Sequence, residues 1–166
     1  IGLILYAQKD PNQCFDDKVN SKILNVDSVK KILNIFKKFT IKPVFISTDF
    51  VYSGKKGNYV EEDPPDPILF YGKQKFEIEN YIKNNFNDFL IFRLSKTFYL
   101  NKKSYVGTYH NWLKNLEKSK SVYCAVDQIY NPIYITDAAN IIFQASNKNI
   151  NGIFHLAGLE TFSRYQ

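Results

Sequence analysis

The stretch Pro43–Lys75, "PVFISTDFVYSGKKGNYVEEDPPDPILFYGKQK", reads as three consecutive pieces. Pro43–Ser47 is an apolar run opened by a proline, at the one strand position that tolerates a missing N–H. The run turns polar at Ser47-Thr48-Asp49, and Gly54, Gly57, Pro64, Pro65 and Pro67 then punctuate a loop. From Tyr71 a helical pattern begins, with Tyr81 and Ile82 three and four residues after Ile78 and Phe86 four after Ile82. Buried strand, loop and helix, in that order, form one unit of a parallel α/β sheet.

The alternation continues on both sides. Ile1–Ala7 is a short apolar run that predicts a buried strand. From about Asp16 to Phe39, Val19, Ile23, Val26, Val29, Leu33 and Phe36 mark one helix face. Asp16-Asp17 and Lys37-Lys38 suit the two ends of that helix's dipole. Asp88–Ser95 predicts a third strand, Tyr105–Lys118 a helix, Ser121–Val126 a short strand, Tyr134–Ser146 a helix and Gly152–Gly158 a last strand. The final residues, "TFSRYQ", read as the start of another helix. Strands apolar on both faces and alternating with helices give an α/β, doubly wound parallel sheet. In such sheets ligands bind beyond the carboxyl ends of the strands. That rule places Ala7–Lys9, Ser47–Asp49 and Leu94–Lys96 on one edge.

Composition narrows the function classes. A chain of 166 residues with 45% hydrophobic content can bury a proper core. No apolar run approaches a membrane span and no signal-peptide pattern opens the chain, so a cytoplasmic setting is expected. Cys14 and Cys124 are too few and too far apart for a disulfide framework. His110 and His155 have no metal-pair spacing, so no metal is expected. The net charge of +6 comes from lysines scattered between acidic patches rather than from one basic stripe. That scatter argues against nucleic-acid binding and is compatible with an anionic small molecule.

Tyr71 and Lys75 stand four apart, on one face of the predicted helix. An ammonium beside a phenol favours the phenolate, drawing the tyrosine pKa toward working pH. A tyrosine so tuned exchanges a proton with a carbonyl or an alcohol. Thr48, at the carboxyl end of a strand, can hydrogen-bond the same oxygen. The pair also reads as a helix-face aromatic with a solvated lysine, and spacing alone does not separate the two. His155 reads as a satisfied histidine inside a strand, Asn25 as bonding backbone or as solvated, Asp137 as a helix N-terminal acid, and Trp112 as a packing aromatic.

Taken in order, "LNVDS" (Leu24–Ser28), "STDFVYSG", "YGKQK" with Glu79, "IFRLS" (Ile91–Ser95), "DQIYNP" (Asp127–Pro132), "ITDAA" (Ile135–Ala139) and "GIFHLAG…SRY" (Gly152–Tyr165) resemble the extended short-chain dehydrogenase/reductases. Within them the sequence is most similar to the dTDP-4-dehydrorhamnose reductases. The resemblance implies a Rossmann-like sheet with part of a small substrate-binding subdomain. Residues 1–100 would be the C-terminal part of the NAD(P)-binding domain, and residues 101–166 would add a sheet strand and the substrate-binding subdomain. It also implies NADPH or NADH as hydride donor and a nucleotide-linked 4-keto sugar as substrate. Tyr71 would be the general acid, and Lys75 would tune it and hold the nicotinamide ribose. Thr48 and Asp49 would contact the substrate near its reacting carbonyl, and Lys96 and Gln128 would line the substrate pocket. Ala7, Gln8, Lys9 and Ile46 would lie along the cofactor.

Departures from the pattern shape the alternatives. No G-x-x-G-x-x-G occurs, there is no methionine, and the chain opens directly on an apolar run, so it reads as a piece cut at both ends. Ile4-Leu5-Tyr6-Ala7 stands where the family has Asn-Ala-Ala-Ala, and Lys96 where it has a tryptophan. An intact Thr48–Tyr71–Lys75 trio among altered neighbours also suits a non-catalytic relative. The regulatory β subunit of methionine adenosyltransferase shares these motifs. Expected partners are accordingly the nucleotide sugar and either a second copy of the chain or a second protein subunit.

Overall fold

The computed structural model describes residues 1–99 and 108–165, and for residues 108–111 the backbone alone. Two compact units emerge. The first comprises residues 1–94 and 144–155, the second residues 95–143 and 156–166.

In the first unit, β1 (Gly2–Ile4), β2 (Pro43–Thr48), β3 (Leu90–Leu94) and β7 (Gly152–Leu156) form a sheet in the order β1-β2-β3-β7. β2 pairs in parallel with β1, from Gly2↔Pro43 to Ile4↔Phe45, and with β3, from Val44↔Leu90 to Thr48↔Leu94. Every residue of β2 is buried, as a central parallel strand covered on both faces requires. β1 is shorter than expected: Leu5–Ala7 leave the ladder after only three paired residues.

The helix expected over residues 16–39 is a broken series. Asp10 caps α1 (Pro11–Asp16), which carries proline in its first turn, and Asp17 caps α2 (Lys18–Lys22). A π-helical turn, Ile23–Asp27, then leads into α3 (Ser28–Lys38). The π-turn adds a residue to one turn and so offsets the faces on its two sides. Val26, Val29 and Leu33 are buried as expected, while Val19 is 71% exposed and Ile23 is also exposed. Cys14, Ser21 and Asn25 face inward in their place. α4 (Phe70–Asn85) packs on β2 and α3. A core cluster joins Ile4, Val26, Val29, Leu33, Phe45, Ile78, Ile82 and Ile91.

The second unit holds β4 (Thr97–Phe98) parallel to β6 (Ile133–Tyr134), and β5 (Ile129–Tyr130) antiparallel to β8 (Phe162–Ser163). It also holds α5 (Thr108–Glu117) and most of α6 (Ile135–Ser146). Two expectations fail here. Ser121–Val126 forms no strand, and the chain's last residues pair as β8 instead of starting a helix. Two-residue strands carry too little periodicity to be read from sequence. The part of the expected Tyr105–Lys118 helix before Thr108 lies outside the described residues, as does the side chain of His110. No helix among the described residues is long and apolar enough to cross a membrane.

Candidate active site

β2 delivers Thr48 to its carboxyl end, where the chain turns into a short 3-10 helix, Asp49–Val51. The Thr48 hydroxyl donates to the Asp49 carboxylate at 3.1 Å and accepts from the Phe50 amide at 3.3 Å, capping that turn. The Tyr71 ring meets Phe50 edge-on at 6.4 Å between centroids. Gly72 fits because it has no side chain: a Cβ there would stand 2.1 Å from the Phe50 carbonyl oxygen. Thr48 and Tyr71 are therefore both seated against the same residue, one through its amide and the other through its ring.

The loop between them is closed by carboxylates. Asp66 accepts from the Ser53 amide at 2.8 Å, while Asp63 accepts from the Val60 amide at 2.8 Å and pairs with Lys56 at 2.6 Å. Tyr59 stacks on Tyr52 at 4.3 Å. Pro64, Pro65 and Pro67 follow those clasps and lead into α4.

Lys75 is only 4% exposed. Its Nζ donates to the Ile46 carbonyl at 2.8 Å, lies 4.6 Å from the Phe45 ring centroid and 5.8 Å from that of Tyr71. Burial pushes its pKa down to about 8, against the upward pull of Glu79 and Cys14. Tyr71 is 8% exposed, and its hydroxyl makes no hydrogen bond with a described residue. Burial pushes its pKa above the ordinary tyrosine value, with Cys14 and Asp49 adding to the rise. The expected drop toward working pH does not occur: desolvation dominates, and the Lys75 ammonium is turned to the Ile46 carbonyl. Tyr71 is consequently a neutral phenol with its proton to give, the form a carbonyl reduction uses.

A second polar group surrounds the segment after β1. The Asn25 side chain accepts from the Gln8 amide at 2.7 Å and donates to the Gln8 carbonyl at 2.9 Å, bonding this backbone as a neighbouring strand would. Asn25 also donates to Gln74 at 2.8 Å, and Gln74 donates to the Ser21 hydroxyl at 3.0 Å. Cys14, fully buried, donates to the Gln8 carbonyl at 3.2 Å. Of the two readings open for Asn25, the structure has it bonding backbone; Cys14 bonds the same carbonyl, and Gln74, which no sequence motif marks as a site residue, joins them. Gln74 stands three residues from Tyr71, on its face of α4.

The structure brings Ile46, Thr48, Asp49, Tyr71 and Lys75 together at the end of β2, with Ala7–Lys9 following β1 in the same unit. Lys96 and Gln128 belong to the second unit, and both are exposed. Their backbone carbonyls accept from Ile133 and Arg164.

A family model described as the RmlD substrate binding domain matches residues 5–166. The dTDP-4-dehydrorhamnose reductase of Aggregatibacter actinomycetemcomitans is 31% identical over 150 residues, covering 86% of this chain and 50% of that protein. The methionine adenosyltransferase 2 subunit beta of Danio rerio is 25% identical over 130 residues, covering 74% of this chain and 40% of that protein. The chain thus spans about half the length, or less, of these curated relatives. Among solved structures, a hypothetical dTDP-4-dehydrorhamnose reductase from Sulfolobus tokodaii superposes with a TM-score of 0.87 at 32% identity, covering 98% of this chain and 56% of that one. A dTDP-4-dehydrorhamnose reductase from Bacillus anthracis in complex with NADP superposes equally well, at 0.87 and 22% identity, covering 97% and 57%.

Proposed function

The chain belongs to the RmlD substrate binding domain family, and from that premise we propose that it is the reacting half of an NAD(P)H-dependent sugar-nucleotide reductase. The reaction would reduce the 4-keto group of a nucleotide-linked deoxysugar. The observation that carries the reading is the Thr48–Tyr71–Lys75 constellation: a buried phenol with no hydrogen-bond partner among the described residues, one helical turn from a buried ammonium, at a strand end that presents a hydroxyl.

The residues fit a nicotinamide cofactor. Lys75 has three N–H donors and Ile46 takes one, which leaves two for ribose hydroxyls. Ala7–Lys9, held in place by Asn25, supplies backbone beside them. NADPH or NADH, when bound, supplies the hydride.

The protein's own groups do the rest. On substrate binding the Thr48 hydroxyl would turn its one proton from the Asp49 carboxylate to the keto oxygen and fix its position. Tyr71 transfers its proton to that oxygen as negative charge develops there. Lys75 balances the phenolate left behind, an interaction made stronger by the dry surroundings. Asp49 would contact the sugar nucleotide.

The test is turnover of the full protein with a dTDP-4-keto sugar, followed by loss of reduced-nicotinamide absorbance. Tyr71→Phe removes only the proton donor and should cut kcat by about 10²–10⁴-fold. Wild-type turnover in that variant would sink the assignment.

The methionine adenosyltransferase β relatives support a second reading, a binding subunit that keeps the fold without the reaction. Co-purification with a second polypeptide, with no turnover of any keto sugar, would favour it.

A further inference from the structure

Beyond Tyr71 and Lys75, α4 buries a third functional side chain one turn further on. Glu79 is 0% exposed, and its carboxylate is occupied on both oxygens. The Ser47 hydroxyl donates to Oε1 at 2.5 Å. Arg93 of β3 donates from Nη2 to Oε2 at 2.8 Å, and from Nε to Oε1 at 3.2 Å and Oε2 at 3.3 Å. Ser47 and Arg93 are direct cross-strand partners on β2 and β3, so both reach the same side of the sheet at the same level. Arg93 is itself held by the Tyr52 hydroxyl and by the Glu61 carbonyl at 3.3 Å.

Successive turns of α4 are thereby tied to successive residues of β2. Lys75 bonds Ile46 and Glu79 bonds Ser47, and Thr48 is next in line. A slide or rotation of α4 along the sheet would break both bonds and an ion pair at once.

We propose that Glu79, locked by Arg93, is the positioning residue of this site: it sets α4 against β2 and supplies the buried carboxylate that balances the Lys75 ammonium. This rests on the reductase reading for its catalytic consequence, but not for its electrostatic one. Among the described residues, the groups facing Lys75 are few. Glu79 and Tyr71 come from its own helix and the Cys14 thiol from α1. Among the described contacts, β2 offers the Phe45 ring and the Ile46 carbonyl, and β3 acts through Arg93 on Glu79. Among these, Glu79 carries the formal negative charge. Its pull upward on Lys75 opposes desolvation, and the Arg93 guanidinium, paired with the same carboxylate, should weaken that pull.

The test reads Lys75 directly, by NMR titration of labelled lysine side chains in the full protein, with Lys75→Met to assign the signal. Glu79→Gln should lower the Lys75 ionisation by about one pH unit. Arg93→Gln should move it up. Glu79→Gln/Arg93→Gln should leave it between the wild-type and Glu79→Gln values. If Glu79→Gln alone does not fold, the double variant, which leaves neither charge unpaired, carries the test. The alkaline limb of kcat should move with the Lys75 ionisation in each variant. A merely structural Glu79 would change the folded fraction and leave the Lys75 titration where it was, and that result overturns the proposal. A shifted titration in a protein without turnover would instead overturn the reductase reading and leave this one standing.

Discussion

Lys75 and Tyr71 show how the interior sets the chemistry of single residues. Burial penalises whichever form carries charge, so the lysine moves down and the tyrosine up, and each still holds near neutral pH the proton that the proposed reduction would need. For Lys75 this has a thermodynamic signature. Its folded pKa of about 8 lies below the ordinary lysine value near 10.4. Between those two values the unfolded chain binds the proton that the folded chain has lost, so Lys75 makes stability rise with pH there. Lys75→Met should remove that rise, leaving a flatter stability profile across the same window in denaturant titrations at stepped pH. An equal slope in both proteins would mean that Lys75 is not desolvated.

At the level of elements, the site depends on how α4 is launched. No side chain caps its first turn; Leu69 holds the N-cap position, and the helix begins where the carboxylate-clasped loop releases it. Its buried face is partly polar, with Gln74, Lys75 and Glu79 among Ile78 and Ile82, and each polar group has a partner on another element. Gly72 lets the first turn press against Phe50. In an exposed helix, glycine to alanine gains up to about 1 kcal/mol. Here the added methyl meets a backbone carbonyl, so Gly72→Ala should destabilise by about 1–3 kcal/mol and lower turnover by displacing Tyr71. A stabilised, fully active variant would show that the helix start has room to move. Gly54, at φ +80° with open space around it, serves backbone conformation alone.

Within the first unit, apolar and polar cores lie on the same layer. The cluster of Leu33, Val26, Val29, Phe45, Ile78, Ile82, Ile91 and Ile4 ties α3 and α4 to the sheet, and the Glu79–Arg93 pair anchors the same helix by charge. Leu33 is fully buried at the centre of that layer. Leu33→Ala should cost about 2–5 kcal/mol in the first unit, measured by chemical unfolding. A cost well below that range would mean that α3 can collapse into the space. The positive net charge of +6 suits an anionic ligand such as a sugar nucleotide.

The α/β class, the central strand at Pro43–Thr48 and the helix carrying Tyr71 and Lys75 were legible in the residues, because a continuous apolar run and period-3.6 burial leave direct marks on a sequence. So were the strand-end position of Thr48 and the series of motifs that places the chain in its family. The π-turn at Ile23–Asp27 was not legible, since one added residue looks like ordinary helix until packing shows which face turned inward. The short β4, β5, β6 and β8 were equally hidden, because two-residue strands exist only through their partners. The direction of the Tyr71 shift required the fold for a related reason. Spacing along a helix says that a lysine is near, but only packing says that its ammonium turns to the Ile46 carbonyl and that the phenol is cut off from water. In the same way, Ser47, Glu79 and Arg93 are distant in sequence and become one site only through the register of β2, β3 and α4.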